Sequence, residues 1–248
     1  MTGRLKGRVA LITGANRGIG LAIAQEYAKE GATCILAARN VAALKKVAFE
    51  LSASGAEIVV LELDQENDRS IIKAIEEVSN RFSKLDIFVA NAASLGARKP
   101  IISYPLDIWR HTFQVNVHAN LLLLQGLDPL LKKSDAGRVI ILSAQVATVA
   151  KAGTGSYAVS KAALESLARV YMIEAKDSPI RVNTVSPMAT RTKMRADAAP
   201  TEDPMTLKPP EAIAPLFVEL AMPSCELQGE WINADQWLKS KKINKELK

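Results

Sequence analysis

Short apolar runs alternate with amphipathic stretches along most of this chain. Val9–Thr13, Thr33–Ala38, Ile58–Leu63, Leu85–Ala90, Arg138–Ser143 and Ile180–Ser186 are apolar enough, and short enough, to be buried strands. Helical spacing is predicted between them, over Gly20–Glu30, Val41–Ser52, Asp68–Phe82, Asp107–Leu131 and Ser156–Ala175. In the first helix Ile19, Ile23 and Tyr27 share a face; in the third, Ile71, Ile72, Ile75 and Val78 recur on one side. Runs that are apolar on both faces belong in a parallel sheet covered by helices above and below. The repeated alternation predicts an α/β fold, a single-domain doubly wound parallel sheet of the Rossmann type.

The pattern breaks after Pro187. Met188–Pro210 is rich in proline and charge and has little periodicity. It is too short for a domain, and in this fold it would lie over the carboxyl ends of the strands, so residues 188–210 are expected to form a substrate lid. A helix over Glu211–Leu220 and a short strand near Trp231–Ala234 would finish the sheet. The basic run Lys239–Lys248 reads as a solvated, frayed tail. With no internal repeat and no linker, residues 1–248 are read as one domain.

Composition narrows the function classes. The net charge of +6 comes from cations spread along the chain, so it does not mark a nucleic-acid surface. Aromatic residues make up only 5%, too few for a base-stacking platform. No apolar run reaches the length of a membrane span, and the N-terminus lacks the apolar core of a signal peptide. Cys34 and Cys225 suggest neither a disulfide framework nor a metal site. A cytoplasmic protein without metal, membrane or nucleic-acid partner is expected.

Two motifs carry chemistry. The first is Thr13-Gly-Ala-Asn-Arg-Gly-Ile-Gly20, which follows a strand and opens a helix. Glycines there let the backbone turn tightly and approach a diphosphate, whose charge sits at the helix N-terminus. A carboxylate at the end of the second strand would bind the ribose hydroxyls of NAD, but this chain has Ala38 and then Arg39. Arg17 lies inside the turn. Two guanidiniums near one ribose suit a 2′-phosphate, so NADP(H) is favoured over NAD(H). The second motif is Tyr157-Ala-Val-Ser-Lys161. One helical turn separates phenol from ammonium, which places them on one face. The ammonium is expected to lower the phenol pKa towards the range of a useful acid or base. An isolated pair of this kind is also a common helix surface.

With both motifs in place, the chain resembles the short-chain dehydrogenase/reductase family from Gly7 to about Asp235. Further matches are Asp64 after the third strand, Ala90-Asn91-Ala92-Ala93, Asn116 within Gln114-Val-Asn-Val117, and Pro187 with Thr192. A narrower resemblance, to the bacterial YciK-like oxidoreductases, rests on Leu131-Lys-Lys-Ser-Asp-Ala-Gly137, Arg191-Thr-Lys-Met-Arg195 and Pro200-Thr-Glu-Asp-Pro204. The resemblance implies hydride transfer between a nicotinamide and a carbonyl or secondary alcohol, catalysed by Tyr157, Lys161 and Asn116. It implies that Lys161 bonds the nicotinamide ribose and that Asn116 holds a water linking Lys161 to solvent. Gly14, Asn16, Arg17, Gly18, Ile19, Gly20, Arg39, Asp64, Asn91, Ala92, Tyr157, Lys161, Pro187, Thr190 and Thr192 are the implied cofactor residues. It also implies a homodimer or homotetramer built on the helices Asp107–Leu131 and Ser156–Ala175.

The chain departs from this family pattern near the chemistry. Thirteen residues before Tyr157, where the family has a serine, stands Ala144. An alanine cannot hydrogen-bond the substrate oxygen. Ser143 is the possible substitute hydroxyl, but an extended strand would point it to the opposite face; Thr154 is another. Ala93 and Met188 stand where glycines are usual, and Gln236-Trp237 replaces a pair of glycines. Two readings follow: an NADP(H)-dependent oxidoreductase, or a catalytically weakened NADPH-binding sensor or partner protein.

Overall fold

The apolar runs become strands because helices bury both faces of each. The computed structural model describes residues 3–53 and 55–246. Among them one parallel sheet holds β1 (Val9–Thr13), β2 (Thr33–Ala38), β3 (Ile58–Glu62), β4 (Ile87–Ala90), β5 (Arg138–Leu142), β6 (Arg181–Ser186) and β7 (Trp231–Asn233). Their order is β3-β2-β1-β4-β5-β6-β7. The chain leaves β1 in one direction and β4 in the other, and the two strands are neighbours, with Ala10 opposite Ile87. A crevice opens beyond the carboxyl ends at such a reversal.

Strand parity assigns each side chain to a layer. Ile12, Leu36, Val89, Ile140 and Leu142 pack with α1 (Gly18–Lys29), α2 (Val41–Ser52) and α8 (Ala214–Ala221). Leu11, Ile35, Phe88, Val139 and Ile141 pack with α3 (Asp68–Arg81), α5 (Ala119–Lys132) and α6 (Gly155–Glu174). Each such side chain contributes roughly 1.5–3 kcal/mol by leaving water, so the alternation fixes which face of each strand meets which helices.

The region predicted as one helix, Asp107–Leu131, differs from expectation. It consists of α4 (Leu106–Phe113), a π turn over Gln114–His118, and α5. The wider turn coincides with Asn116, whose amide reaches inward to other segments. The expected lid segment contains α7 (Lys193–Ala198), a 3-10 turn over Pro204–Thr206 and a bridge between Thr190 and Lys208.

The basic tail is also corrected: residues up to Glu246 belong to α9 (Ala234–Glu246), and 247–248 lie outside the described residues. Asn233 caps this helix, accepting from Asp235 N at 2.9 Å and Gln236 N at 3.2 Å. Trp237 then donates to Glu219 at 3.0 Å, and Lys241 pairs with the same carboxylate at 2.7 Å. These contacts hold the start of α9 to α8, while Lys239, Ser240, Lys242 and Ile243 remain exposed to solvent.

The amino-end edge of the sheet is polar and closed. Asp86 accepts from Val9 N at 2.9 Å, Lys84 at 2.9 Å and Ser134 Oγ at 2.5 Å. Burial pushes its carboxyl up, but these hydrogen bonds outweigh burial and hold it below the ordinary value. Arg8 donates to the carbonyls of Asp86 and Ala136. Arg138 grips the carbonyls of Met222, Pro223 and Cys225. Burial, then repulsion from Arg8, pushes Arg138 down to about 10.

Candidate active site

The opposite end of the sheet opens into a cleft of about 450 Å³. One end of it is built by the turn between β1 and α1. Gly14 and Gly18 are left-handed, at φ 67° and 57°, a conformation that disfavours other residues. A Cβ on Gly14 would lie 2.8 Å from Asn91 Nδ2, and one on Gly20 would lie 2.6 Å from the same atom. The turn is therefore locked onto β4, where Asn91 Nδ2 also donates to Thr13 O at 2.7 Å. α1 starts without a side-chain cap and without an acid in its first turn. Its leading N–H groups remain available to an anion, which fits the diphosphate of a dinucleotide.

The adenosine end is charged. Arg39 Nη1 donates to Glu66 Oε1 at 2.7 Å, and His111 Nδ1 stands 3.6 Å from Glu66 Oε2. Asp64 accepts from the Glu66 N–H at 3.1 Å.

At the other end stand Tyr157 and Lys161, on the first two turns of α6. Lys161 is buried, and its Nζ donates to Leu142 O at 2.6 Å. Desolvation pushes it down to about 8, opposed by the nearby Glu165 carboxylate. Its Nζ lies 5.9 Å from the Tyr157 ring centre. Tyr157 is partly exposed along the cleft, yet desolvation around its hydroxyl pushes the phenol up to about 12. The expected lowering by the ammonium is thus corrected. Lys161 is turned to a carbonyl and is itself poorly solvated, so burial dominates.

Asn116 lies behind these residues. Its Oδ1 accepts from Ser94 N at 2.7 Å, and its Nδ2 donates to Ser94 O and Ser160 Oγ, each at 2.9 Å. This side chain ties the loop after β4 to α6, the helix that carries Tyr157 and Lys161. Its own carbonyl accepts from Asn120 Nδ2 at 2.9 Å.

The backbone at Ala144 is extended, with φ −155° and ψ 151°. Ser143 therefore faces the α6 layer, and its hydroxyl donates to the buried carboxylate of Glu165. Trp231 Nε1 donates to the same oxygen at 2.8 Å. Thr154 is also engaged, donating to Lys151 O at 2.6 Å.

Gly14, Asn16, Arg17, Gly18, Ile19, Arg39, Asp64, Asn91, Ala92, Ser143, Tyr157, Lys161, Pro187 and Thr192 all line this one cleft. Three anticipated residues do not. Gly20 packs inside the turn, Asn116 is buried behind the wall, and Thr190 is buried with its hydroxyl on Pro187 O at 2.9 Å. Sequence reasoning missed Ser94, Glu66 and His111, which line the cleft, and Glu165 behind it. Only the placement of Ser94, just after Asn91-Ala92-Ala93, could have drawn attention to it.

Comparison with known proteins agrees with this arrangement. The family model described as short chain dehydrogenase matches residues 8–203. The chain is 38% identical to the oxidoreductase YciK of Escherichia coli (strain K12) over 219 residues, 87% of this chain and 86% of that protein. A short-chain dehydrogenase of Shigella flexneri complexed with NADP superposes with a TM-score of 0.91 at 36% identity, covering 95% of this chain and 100% of the other. One from Escherichia coli CFT073 complexed with NADPH gives 0.90 at 36% identity, covering 94% and 99%.

Proposed function

Because this chain belongs to the short-chain dehydrogenase family of oxidoreductases, we propose that it uses NADP(H) to interconvert a carbonyl and a secondary alcohol. The observation that carries this reading is one cleft with Tyr157 and Lys161 at one end and Arg17 and Arg39 at the other. The helix N-terminus at Gly18 lies between and receives the diphosphate. The guanidiniums receive the 2′-phosphate, in keeping with the NADP and NADPH held by the two structural relatives. When bound, the nicotinamide supplies or accepts the hydride.

The residues do the rest. Tyr157 exchanges a proton with the substrate oxygen; a phenol raised to about 12 keeps its proton at neutral pH, the form that donates. Lys161 faces it and is expected to bond the nicotinamide ribose. Asn116 positions both by clamping α6 against the loop after β4. The segment 188–210 serves as the lid over the substrate, with Lys193 and Met194 already on the cleft wall. Val159, Val170 and Ile173 on α6 are exposed, which favours a homodimer or homotetramer. The free thiols of Cys34 and Cys225 suit the cytoplasm.

Two measurements test this reading. Fluorescence titration should show NADPH binding more tightly than NADH. A panel of carbonyl compounds with NADPH should show turnover that Tyr157→Phe abolishes while leaving NADPH binding intact. Binding of neither nucleotide would sink the reading. A second reading, an NADPH-binding protein with little turnover, is favoured by Ala144 together with the Ser143 hydroxyl being engaged by Glu165. It predicts NADPH binding with no substrate anywhere in the panel.

A further inference from the structure

Arg17 and Arg39 are not equivalent. Arg17 has no ion pair among the described residues, whereas Arg39 is already held by a carboxylate, Nη1 to Glu66 Oε1 at 2.7 Å. That carboxylate is placed, not incidental. The loop after β3 turns so that the Glu66 N–H donates to Asp64 Oδ1 at 3.1 Å. This aims the side chain across the end of the cleft towards the residue that follows β2. The other oxygen, Oε2, stands 3.6 Å from His111 Nδ1 on α4. Arg39, Glu66 and His111 all line the same cleft.

We propose that Glu66 sets nucleotide specificity, because its carboxylate and the 2′-phosphate compete for the guanidinium of Arg39. The proposal rests on the NADP(H) reading above. The pair is exchangeable: the Arg39 side chain is 70% exposed and that of Glu66 38%, and ion pairs that meet water are weak. A phosphate offers more charge and a geometry that matches the guanidinium fork. NADPH therefore takes Arg39 from Glu66, and Glu66 retains His111 as a neighbour. NADH carries a hydroxyl at that position and leaves the ion pair alone. Glu66 thus lowers NADPH affinity selectively and narrows the gap between the two nucleotides. The chain keeps one arginine unconditionally for the phosphate, Arg17, and one under competition.

The test is fluorescence titration of NADPH and NADH against the wild type, Glu66→Gln, Arg39→Ala and the double variant, with thermal melts to verify folding. Glu66→Gln should bind NADPH about two- to five-fold more tightly, with NADH unchanged. In the Arg39→Ala background the same substitution should give no gain. Unchanged NADPH affinity, equal tightening of both nucleotides, weaker NADPH binding, or a gain that persists without Arg39 each overturns the proposal. The wild type alone tests the underlying reading: if it binds NADPH no more tightly than NADH, the cofactor assignment fails, whatever Glu66→Gln does.

Discussion

Ala144 concentrates the question of catalytic strength in one side chain. Its backbone is extended at the carboxyl end of β5, and it carries no hydroxyl to orient a substrate oxygen. One missing contact of that kind costs about 2–4 kcal/mol of barrier, a factor of roughly 10² to 10³. Ala144→Ser should accordingly raise kcat/KM on a carbonyl substrate by about a hundred-fold. Unchanged turnover would mean that another hydroxyl of the cleft wall, Ser94 or Thr192, already acts. Lys161 gives a second expectation. Its folded pKa of about 8 lies below its ordinary value of 10.5, so the unfolded chain binds more protons between these values. Stability therefore rises with pH across that window, and the full penalty is present below it. Lys161→Met removes this pH-dependent penalty. Relative to the wild type it should gain stability as pH falls from about 10 to 8, offset by a constant loss of the Nζ bond to Leu142 O. That gain should shrink as urea melts are repeated from pH 8 towards 10. At this scale the sequence was legible where chemistry is local. Tyr157 and Lys161 are one turn apart, and the glycine turn is contiguous. It was silent where contacts are distant: Glu66 meets Arg39 across 27 residues and Ser143 meets Glu165 across 22.

Segments near the chemistry adopt shapes that periodicity does not encode. The hydrophobic pattern locates β1, β2 and α2 to the residue, because burial on a strand or helix face is written in the spacing of side chains. The π turn over Gln114–His118 escaped because side-chain bonds from Asn116 to Ser94 and Ser160 accompany it, and neither partner is a neighbour in sequence. α9 escaped because its lysines suggested solvent, while a cap at Asn233 and Trp237 on Glu219 hold its start to the fold. Just after β6, Met188 is the only non-glycine residue among those described with positive φ, at 58°. A side chain there is strained by roughly 1–2 kcal/mol. Met188→Gly should stabilise the protein by about 1 kcal/mol, seen as a higher urea midpoint with an unchanged slope.

The molecule as a whole divides along the strand axis. Buried hydrogen bonds close the amino ends of the strands, where Asp86 joins Val9, Lys84 and Ser134, and Arg138 holds the carbonyls of Met222, Pro223 and Cys225. Asp86→Ala would leave Arg8 beside an unbalanced site and should cost about 3–5 kcal/mol, read as a lower Tm with little change in NADPH affinity for the folded fraction. Because the Asp86 pKa is depressed, its contribution is present above about pH 4 and disappears as pH falls through the folded value. The carboxyl ends hold the cleft and three of the departures from the family pattern: Ala93, Ala144 and Met188. An alteration at the loop end changes what the protein recognises or how fast it reacts, and the fastening at the far end goes on holding the sheet closed. Such a scaffold is evolvable in a specific sense. Selection can try new loops for new substrates one substitution at a time, and each trial begins from a molecule that already folds.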